Sequence, residues 1–345
     1  MEIDTLFEYP IVQGPMAGGA CTPELVAAVS NAGALGAFPC SLLGPAAIRA
    51  QVARIRELTN RPFLMNFFVL ETPNPSEDEV KRGMELLRPV WESLGWKELP
   101  KPKQWCEDFA AQLDTLVELR PAAASFTFGI LSQAQVERLH AAGMAVIGTV
   151  TTVDEALAWE AIGADAVVAS GIEAGGHRGT FLGRQEDATL PARELWPAVV
   201  QAVKVPVIAA GGIMNGADIK AALALGARAV QMGTAFLATD EAGIHPAYKR
   251  RLLEGGQPGT RLTRSFSGRY ARGIENRFMQ LMQPVEAEVP AYPVQNALTG
   301  SIRAAAAASG DTEMMSMWAG TGVGRARAMP AARLVQTLAA EMRAA

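Results

Sequence analysis

The chain is poor in the residues that build disulfide frameworks, metal sites and charged binding surfaces. Its 345 residues include three cysteines, Cys21, Cys40 and Cys106. They are widely spaced and form no C-x-x-C pair, so neither a disulfide scaffold nor a zinc ribbon is expected, and a reducing cytoplasmic setting fits. The three histidines lack metal-ligand spacing on any helix. Glu173 and His177 lie four apart, but in a glycine-broken stretch, so no metal is expected. Charged residues make up only 19%, with 31 basic against 35 acidic, and no five like charges run together. That excludes the electrostatic footprint of a nucleic-acid binder. The uncharged stretch Leu25 to Ile48 is broken by Ser30, Asn31, Gly33, Gly36, Pro39, Gly44 and Pro45, which predicts helix, strand and turns instead of a membrane span. Glu2, Asp4 and Glu8 stand where a secretory signal needs basic residues, so export is not expected. No G-x-S-x-G occurs, and Ser125 falls in or beside a strand, so hydrolysis through a nucleophile elbow is unsupported.

What the chain does have is a large apolar content, 49%, enough for a substantial core. Eight short β-branched or apolar runs alternate with Ala/Leu-rich helical segments: Pro10–Gln13, Leu35–Phe38, Phe63–Phe68, Ala123–Thr127, Ala145–Val150, Ala166–Ser170, Val207–Ala210 and Ala229–Met232. Most are apolar throughout, as strands covered on both faces are. Eight βα units predict an α/β fold, a TIM (β/α)8 barrel. Such a barrel needs about 250 residues, which leaves about 95 to place. Two excursions account for them: Glu71–Gln112, with Trp91, Trp96 and Trp105, and Asp240–Asp311, with Tyr248, Tyr270 and Tyr292. The predicted organisation is a barrel of residues 1–239 and 312–345, with a smaller substrate-covering region, 240–311, inserted before the closing helix.

Glycines cluster where the strands end. Gly211 and Gly212 follow the seventh strand, and Gly233 with Thr234 follows the eighth. Those positions, with backbone N–H groups and no adjacent Lys or Arg, predict a phosphate cradle. The loop Gly171–Phe181, GIEAGGHRGTF, holds His177 between glycines in what reads as a mobile turn, and His177 is the candidate functional histidine. His140 and His245 read as solvated or capping residues, and the cysteines as small packing residues. Arg178 beside His177 either steers an anion or faces water. Met314, Met315 and Met317 with Trp318 form a cluster suited to an apolar pocket or to core filling.

Six segments in order, QGPMAGG (Gln13–Gly19), MNFF (Met65–Phe68), SFTFG (Ser125–Gly129), GIEAGGHRG (Gly171–Gly179), AAGGI (Ala209–Ile213) and QMGTAF (Gln231–Phe236), resemble the nitronate monooxygenases, formerly 2-nitropropane dioxygenases, in the class with an AGGHRG loop. WAGTG (Trp318–Gly322) and YPVQNALT (Tyr292–Thr299) resemble further family segments. The resemblance implies an FMN-containing barrel in which Met16, Asn66, Ser170, Gly175, Gly212, Gln231, Met232, Gly233 and Thr234 contact the flavin. It places His177 beside the isoalloxazine, as the catalytic residue, donating a hydrogen bond to a nitronate. Tyr292, Arg178 or Arg303 would bind a substrate carboxylate. The implied reaction is oxidation of an alkyl nitronate, propionate 3-nitronate above all, with O2 to a carbonyl compound and nitrite, by a monomer or homodimer. Ser170 and Thr321 depart from the family pattern, which has Gln at both places. An FMN-dependent NAD(P)H reductase of the quinone or enoyl-thioester type is the alternative on the same fold. A non-redox phosphate-binding barrel is a third.

Overall fold

A computed structural model of the chain describes residues 2–254 and 259–345. Its strands are β1 (Ile11–Gln13), β2 (Gly36–Pro39), β3 (Phe63–Phe68), β4 (Ala123–Thr127), β5 (Ala145–Val150), β6 (Ala166–Ser170), β7 (Gly176–His177), β8 (Val207–Ala210), β9 (Ala229–Met232), β10 (Thr260–Thr263) and β11 (Ala271–Ile274). Eight of them form one parallel sheet in the order β1-β9-β8-β6-β5-β4-β3-β2. The remaining gap is bridged by Leu35, whose N–H donates to the Ile11 carbonyl at 2.9 Å and whose carbonyl accepts from Gln13 N–H at 2.9 Å. The ring is the TIM barrel that the alternating pattern predicts. Leu35 therefore acts as a one-residue bridge ahead of β2. Pro10, with no N–H to give, contributes only its carbonyl, to Val230 N–H at 2.9 Å.

Strand periodicity sorts the side chains. In β3, Phe63, Met65 and Phe67 face outward into the layer beneath the helices. Leu64 packs inside the barrel, and Asn66 and Phe68, two and four residues further, line a cavity at the mouth. The other strands repeat the scheme, with Ala123, Ile147, Val168 and Ile208 filling the interior over a floor of Ile3 and Leu6. The outer layer is bulkier, including Trp159, Trp196 and Phe126. Polar caps start the covering helices. The Thr22 hydroxyl accepts from Leu25 N–H at 3.0 Å ahead of the helix Pro23–Asn31, and Asn215 Oδ1 accepts from Asp218 N–H at 2.9 Å ahead of Gly216–Ala224.

Both excursions leave from the C-terminal face and share one core. Leu87, Val90, Trp91 and Leu99 from the first pack in a single cluster with Phe266, Phe278, Met282, Leu298 and Ile302 from the second. The rings of Phe266 and Phe278 stack at 3.9 Å. The cluster continues through Met314, Met317 and Val323, so the covering region takes its apolar support from both sides of 240–311. At the contact between the excursions, a Cβ on Gly83 would lie 2.7 Å from both Pro290 Cγ and Leu298 Cδ1. Only a residue without a side chain lets the helix Glu77–Leu86 approach so closely.

One feature departs from expectation. The loop that reads as a mobile turn contains β7, which pairs antiparallel with β11 and so joins a three-stranded sheet with β10; Ala271 stands opposite His177. The glycines supply a tight turn into a strand whose partner lies about 90 residues away in the chain, beyond local sequence patterns. Among the described residues no helix is long and apolar enough to cross a membrane. Replacing Gly83 with Val is expected to lower stability by about 1–3 kcal/mol through overpacking against Pro290. Urea denaturation checks this, and an unchanged midpoint would mean that the two excursions do not share a packed boundary.

Candidate active site

The strand ends and the covering region enclose a cavity of about 670 Å3, a size common for ligand sites. The residues expected at a cofactor, Met16, Asn66, Ser170, Gly175, Gly212, Gln231, Met232, Gly233 and Thr234, all line it, and so do His177, Tyr292 and Arg303. Arg178 does not. It is 1% exposed; its guanidinium donates to the carbonyls of Ser170 at 3.0 Å, Gly171 at 2.6 Å and Ala188 at 3.1 Å. The side chain of the residue after His177 points to the opposite side of the strand, so Arg178 braces the loop from behind and is no substrate ligand.

One part of the cavity is built from backbone. Gly211 and Gly212 have φ of 117° and 74°, the left-handed conformations that turn successive N–H groups toward an anion. Gly175 closes on the WAGTG segment so tightly that a Cβ would lie 2.4 Å from Gly320 N. The Thr234 hydroxyl accepts from Gly320 N–H at 2.9 Å. Thr321, one of the departures from the family pattern, donates its N–H to the Glu173 carbonyl at 3.0 Å. No lysine, arginine or carboxylate is among the described residues lining this part, and Arg325, whose Nη2 donates to the Gly212 carbonyl at 2.8 Å, braces the turn from behind. A phosphate suits it, held by peptide dipoles. Other polar groups face the cavity without a partner among the described residues: Ser170 Oγ, the Gln231 amide and Asn66 Oδ1. Asn66 Nδ2 is already fixed on Ser125 Oγ at 2.9 Å. A cradle for phosphate, unpaired acceptors and donors, and the apolar Met16 together match a flat, polar-edged phosphorylated cofactor.

His177 forms the wall nearest the covering region. Its ring is 5.6 Å from those of Phe128 and Tyr292 and 5.3 Å from that of Trp318. Burial, reinforced by the positive charges of Arg269 and Arg303, pushes its pKa down to about 3, so the imidazole is neutral at physiological pH. Nε2 lies 2.9 Å from Ser267 Oγ, which also reaches the Arg269 carbonyl at 3.1 Å. With its proton on that carbonyl, the hydroxyl accepts from Nε2–H; turned to the ring, it donates to Nε2 and leaves Nδ1 protonated. Nδ1 has no partner among the described residues, so in either tautomer it is the nitrogen that a ligand meets.

Arg303, on the helix Gly300–Ser309, is the one permanently charged residue lining the cavity among the described residues. Its Nη2 donates to the Asn296 carbonyl at 2.6 Å and its Nε to Thr299 Oγ1 at 3.2 Å, which leaves Nη1 for a ligand. Gly300, Ala304 and Ala307 share its helical face and line the same cavity. Tyr292 keeps its proton, because burial raises its pKa. Of the other histidines, His140 pairs with Asp165 at 2.8 Å outside the cavity. His245 accepts from Ala247 N–H at 3.1 Å as a helix cap, and it also lines the cavity. Met315 and Trp318 line the cavity while Met314 and Met317 pack in the core.

Sequence reading missed Glu155, because a Glu in a helical first turn looks like a solvated residue. It is 0% exposed. Its carboxylate accepts from Thr151 N–H at 2.6 Å, Thr151 Oγ1 at 2.9 Å and Leu182 N–H at 3.0 Å, and from Phe181 N–H. Glu155 therefore pins the far end of the His177 loop to the barrel.

Comparison with known proteins agrees with the geometry. The sequence model of a family described as nitronate monooxygenase matches residues 2–341. A probable nitronate monooxygenase of Bacillus subtilis (strain 168) is 41% identical over 315 residues, 91% of this chain and 90% of that protein. One from Staphylococcus aureus (strain Newman) is 39% identical over 332 residues, 96% and 93% of the two chains. Among solved structures, a nitroalkane oxidase from Streptomyces ansochromogenes superposes with a TM-score of 0.91 at 42% identity, covering 99% of this chain and 98% of that one. FabK from Thermotoga maritima superposes with 0.77 at 29% identity, covering 99% and 95%.

Glu155→Leu is expected to destabilise the fold by about 3 kcal/mol or more, since it strands the fully buried donors of Thr151 and frees the part-buried N–H groups of Phe181 and Leu182. Equilibrium denaturation measures the loss; a change under about 1 kcal/mol would show that the clamp is not buried in solution.

Proposed function

The chain belongs to the nitronate monooxygenase family, and we propose that it is an FMN-dependent enzyme that oxidises an alkyl nitronate with O2 to a carbonyl compound and nitrite. The observation that carries this reading is the electrostatic pattern of the cavity: one cation, Arg303, beside a histidine held neutral, with a phosphate cradle that uses no cation. Gly212, Gly233 and Thr234 would hold the FMN phosphate, and Met16, Asn66, Ser170, Gly175, Gln231 and Met232 would contact the rest of the group. FMN, when bound, supplies the electron-accepting ring and the place where O2 is reduced.

The chain's own residues bind and orient the anion. A nitronate is already deprotonated, so the site needs no strong base, and a histidine with a pKa near 3 is not one. Arg303 attracts the anion by charge. His177 then presents Nδ1–H to it while Ser267 donates to Nε2. The neutral ring gives a hydrogen bond without adding a charge that burial would oppose. Phe128, Tyr292 and Trp318 surround that ring and keep water from it. Tyr292–OH and the free Nη1 of Arg303 together suit a second anionic group on the substrate, which favours a carboxylate-bearing nitronate such as propionate 3-nitronate.

A second reading on the same fold is an NAD(P)H-dependent reductase. Oxygen uptake and nitrite release from nitronates in the absence of NADH support the monooxygenase. Anaerobic bleaching of bound flavin by NADH, without nitrite release in air, supports the reductase.

His177→Asn is expected to keep bound flavin and to lower kcat/KM on a nitronate by about 100-fold, as the loss of an oriented donor in a dry site does. Flavin absorbance and nitrite assays check it; full activity removes His177 from the mechanism. With the His177 pKa near 3, kcat/KM for a preformed nitronate is expected to stay level between about pH 5.5 and 8, because the imidazole stays neutral throughout. An acid limb near pH 6.5 would contradict that.

A further inference from the structure

A second cavity, of about 390 Å3, lies against the first and serves none of the roles above. Its lining includes Arg184, Arg264, Arg269, Glu186, Tyr270 and Phe128. Glu186 is the only acid there and is matched by Arg184, whose Nε is 3.8 Å from it. The other two guanidiniums are not neutralised within the cavity. Arg269 spends Nε and Nη2 on the carbonyls of Arg178 and Thr180. Arg264 lies over the Tyr270 ring, 5.8 Å from its centroid, and donates only Nε, 3.4 Å from the Gly268 carbonyl, so that its two terminal nitrogens have no hydrogen-bond partner among the described residues.

Phe128 lines both cavities and is the wall between them. Its ring is flanked by Phe68 at 4.1 Å and by the Arg269 guanidinium at 4.1 Å, and Tyr292 and His177 stand at 5.1 and 5.6 Å. It also has a φ of 77°, a backbone state rare for a bulky residue and kept where surrounding structure imposes it, often at functional sites. A strained aromatic wall with cations on one side and the substrate-contacting histidine on the other fits a gate.

We propose that the second cavity is an antechamber for small oxyanions, which exchange with the active-site cavity past the side chain of Phe128. The proposal rests on the nitronate reading for the identity of its traffic, since substrate and nitrite product are both small oxyanions. Arg264 and Arg269 raise the local concentration of an anion outside the wall, and Arg303 receives it inside. Apart from Arg303 the main cavity is lined by no such charge among the described residues.

Nitrate is the probe, being an inert oxyanion of the right size, and calorimetric titration reads its affinity without any turnover. Arg264→Gln, which leaves Arg269 and the His177 loop in place, is expected to weaken nitrate binding about 5-fold at low salt. Arg303→Gln separates the two cationic sites and is expected to retain the binding that depends on Arg264. In the holoenzyme, Arg264→Gln is expected to lower kcat/KM for a nitronate about 5-fold and to flatten its fall with ionic strength, without effect on a neutral nitroalkane. Loss confined to kcat/KM marks entry; loss in kcat relieved by removing nitrite marks exit, and either supports the antechamber. Equal nitrate affinity and equal kinetics in a folded Arg264→Gln protein would overturn it. If the wild type oxidises no nitronate while nitrate affinity still depends on Arg264, the antechamber stands and the proposed function falls.

Discussion

A closed ring of parallel strands brings every strand C-terminus to one mouth, and this geometric constraint underlies the whole site. Closure depends on Leu35, which joins β1 to the start of β2 through two hydrogen bonds of 2.9 Å. Once the ring is shut, the period of two along each strand assigns inward residues to a vertical series: aliphatic at the floor, polar at the rim. Leu64, Asn66 and Phe68 in β3 show the sequence of layers within one strand. Ser170 on β6 and Gln231 on β9 reach the rim by the same rule.

The covering region supplies what a barrel rim cannot, a fixed charge and an aromatic enclosure. Arg303 and Tyr292 come from it, with Trp318 just beyond its end, and a core of Phe266, Phe278 and Met282 supports them at the mouth. Its strand β11 pairs with β7, so the His177 loop belongs to both parts of the molecule. Glu155 on the barrel side and Arg269 on the covering side then hold the same loop from two directions. Removing His177 from water while two arginines stand near it keeps the ring uncharged. In the proposed reaction the anion would meet a single cation, and the histidine would contribute direction instead of charge.

Much of this was legible in the chain itself. Six of the eight expected strand segments, from Phe63–Phe68 onward, coincide residue for residue with observed strands, because runs of apolar residues bounded by glycine or proline are local signals. The glycines of the cradle were legible for the same reason, since tolerance of a positive φ, which Gly211 and Gly212 use, is a property of the residue. Arg178 was misjudged because a charged residue beside glycines looks exposed, whereas its guanidinium is buried on the carbonyls of Ser170, Gly171 and Ala188. Glu155 carried no signal at all: its four donors come from two separate segments, and only folding brings Thr151 and Phe181 to one carboxylate.

The sequence by itself determined the eight βα units, the backbone cradle and the candidate histidine, because propensity, periodicity and glycine placement act within a few residues. Tertiary structure alone decided that His177 is pinned and neutral, that Arg303 is the cation of the cavity, and that Phe128 lines two cavities at once. Those properties depend on desolvation and on charges brought from segments about a hundred residues apart, and neither exists until the chain has closed on itself.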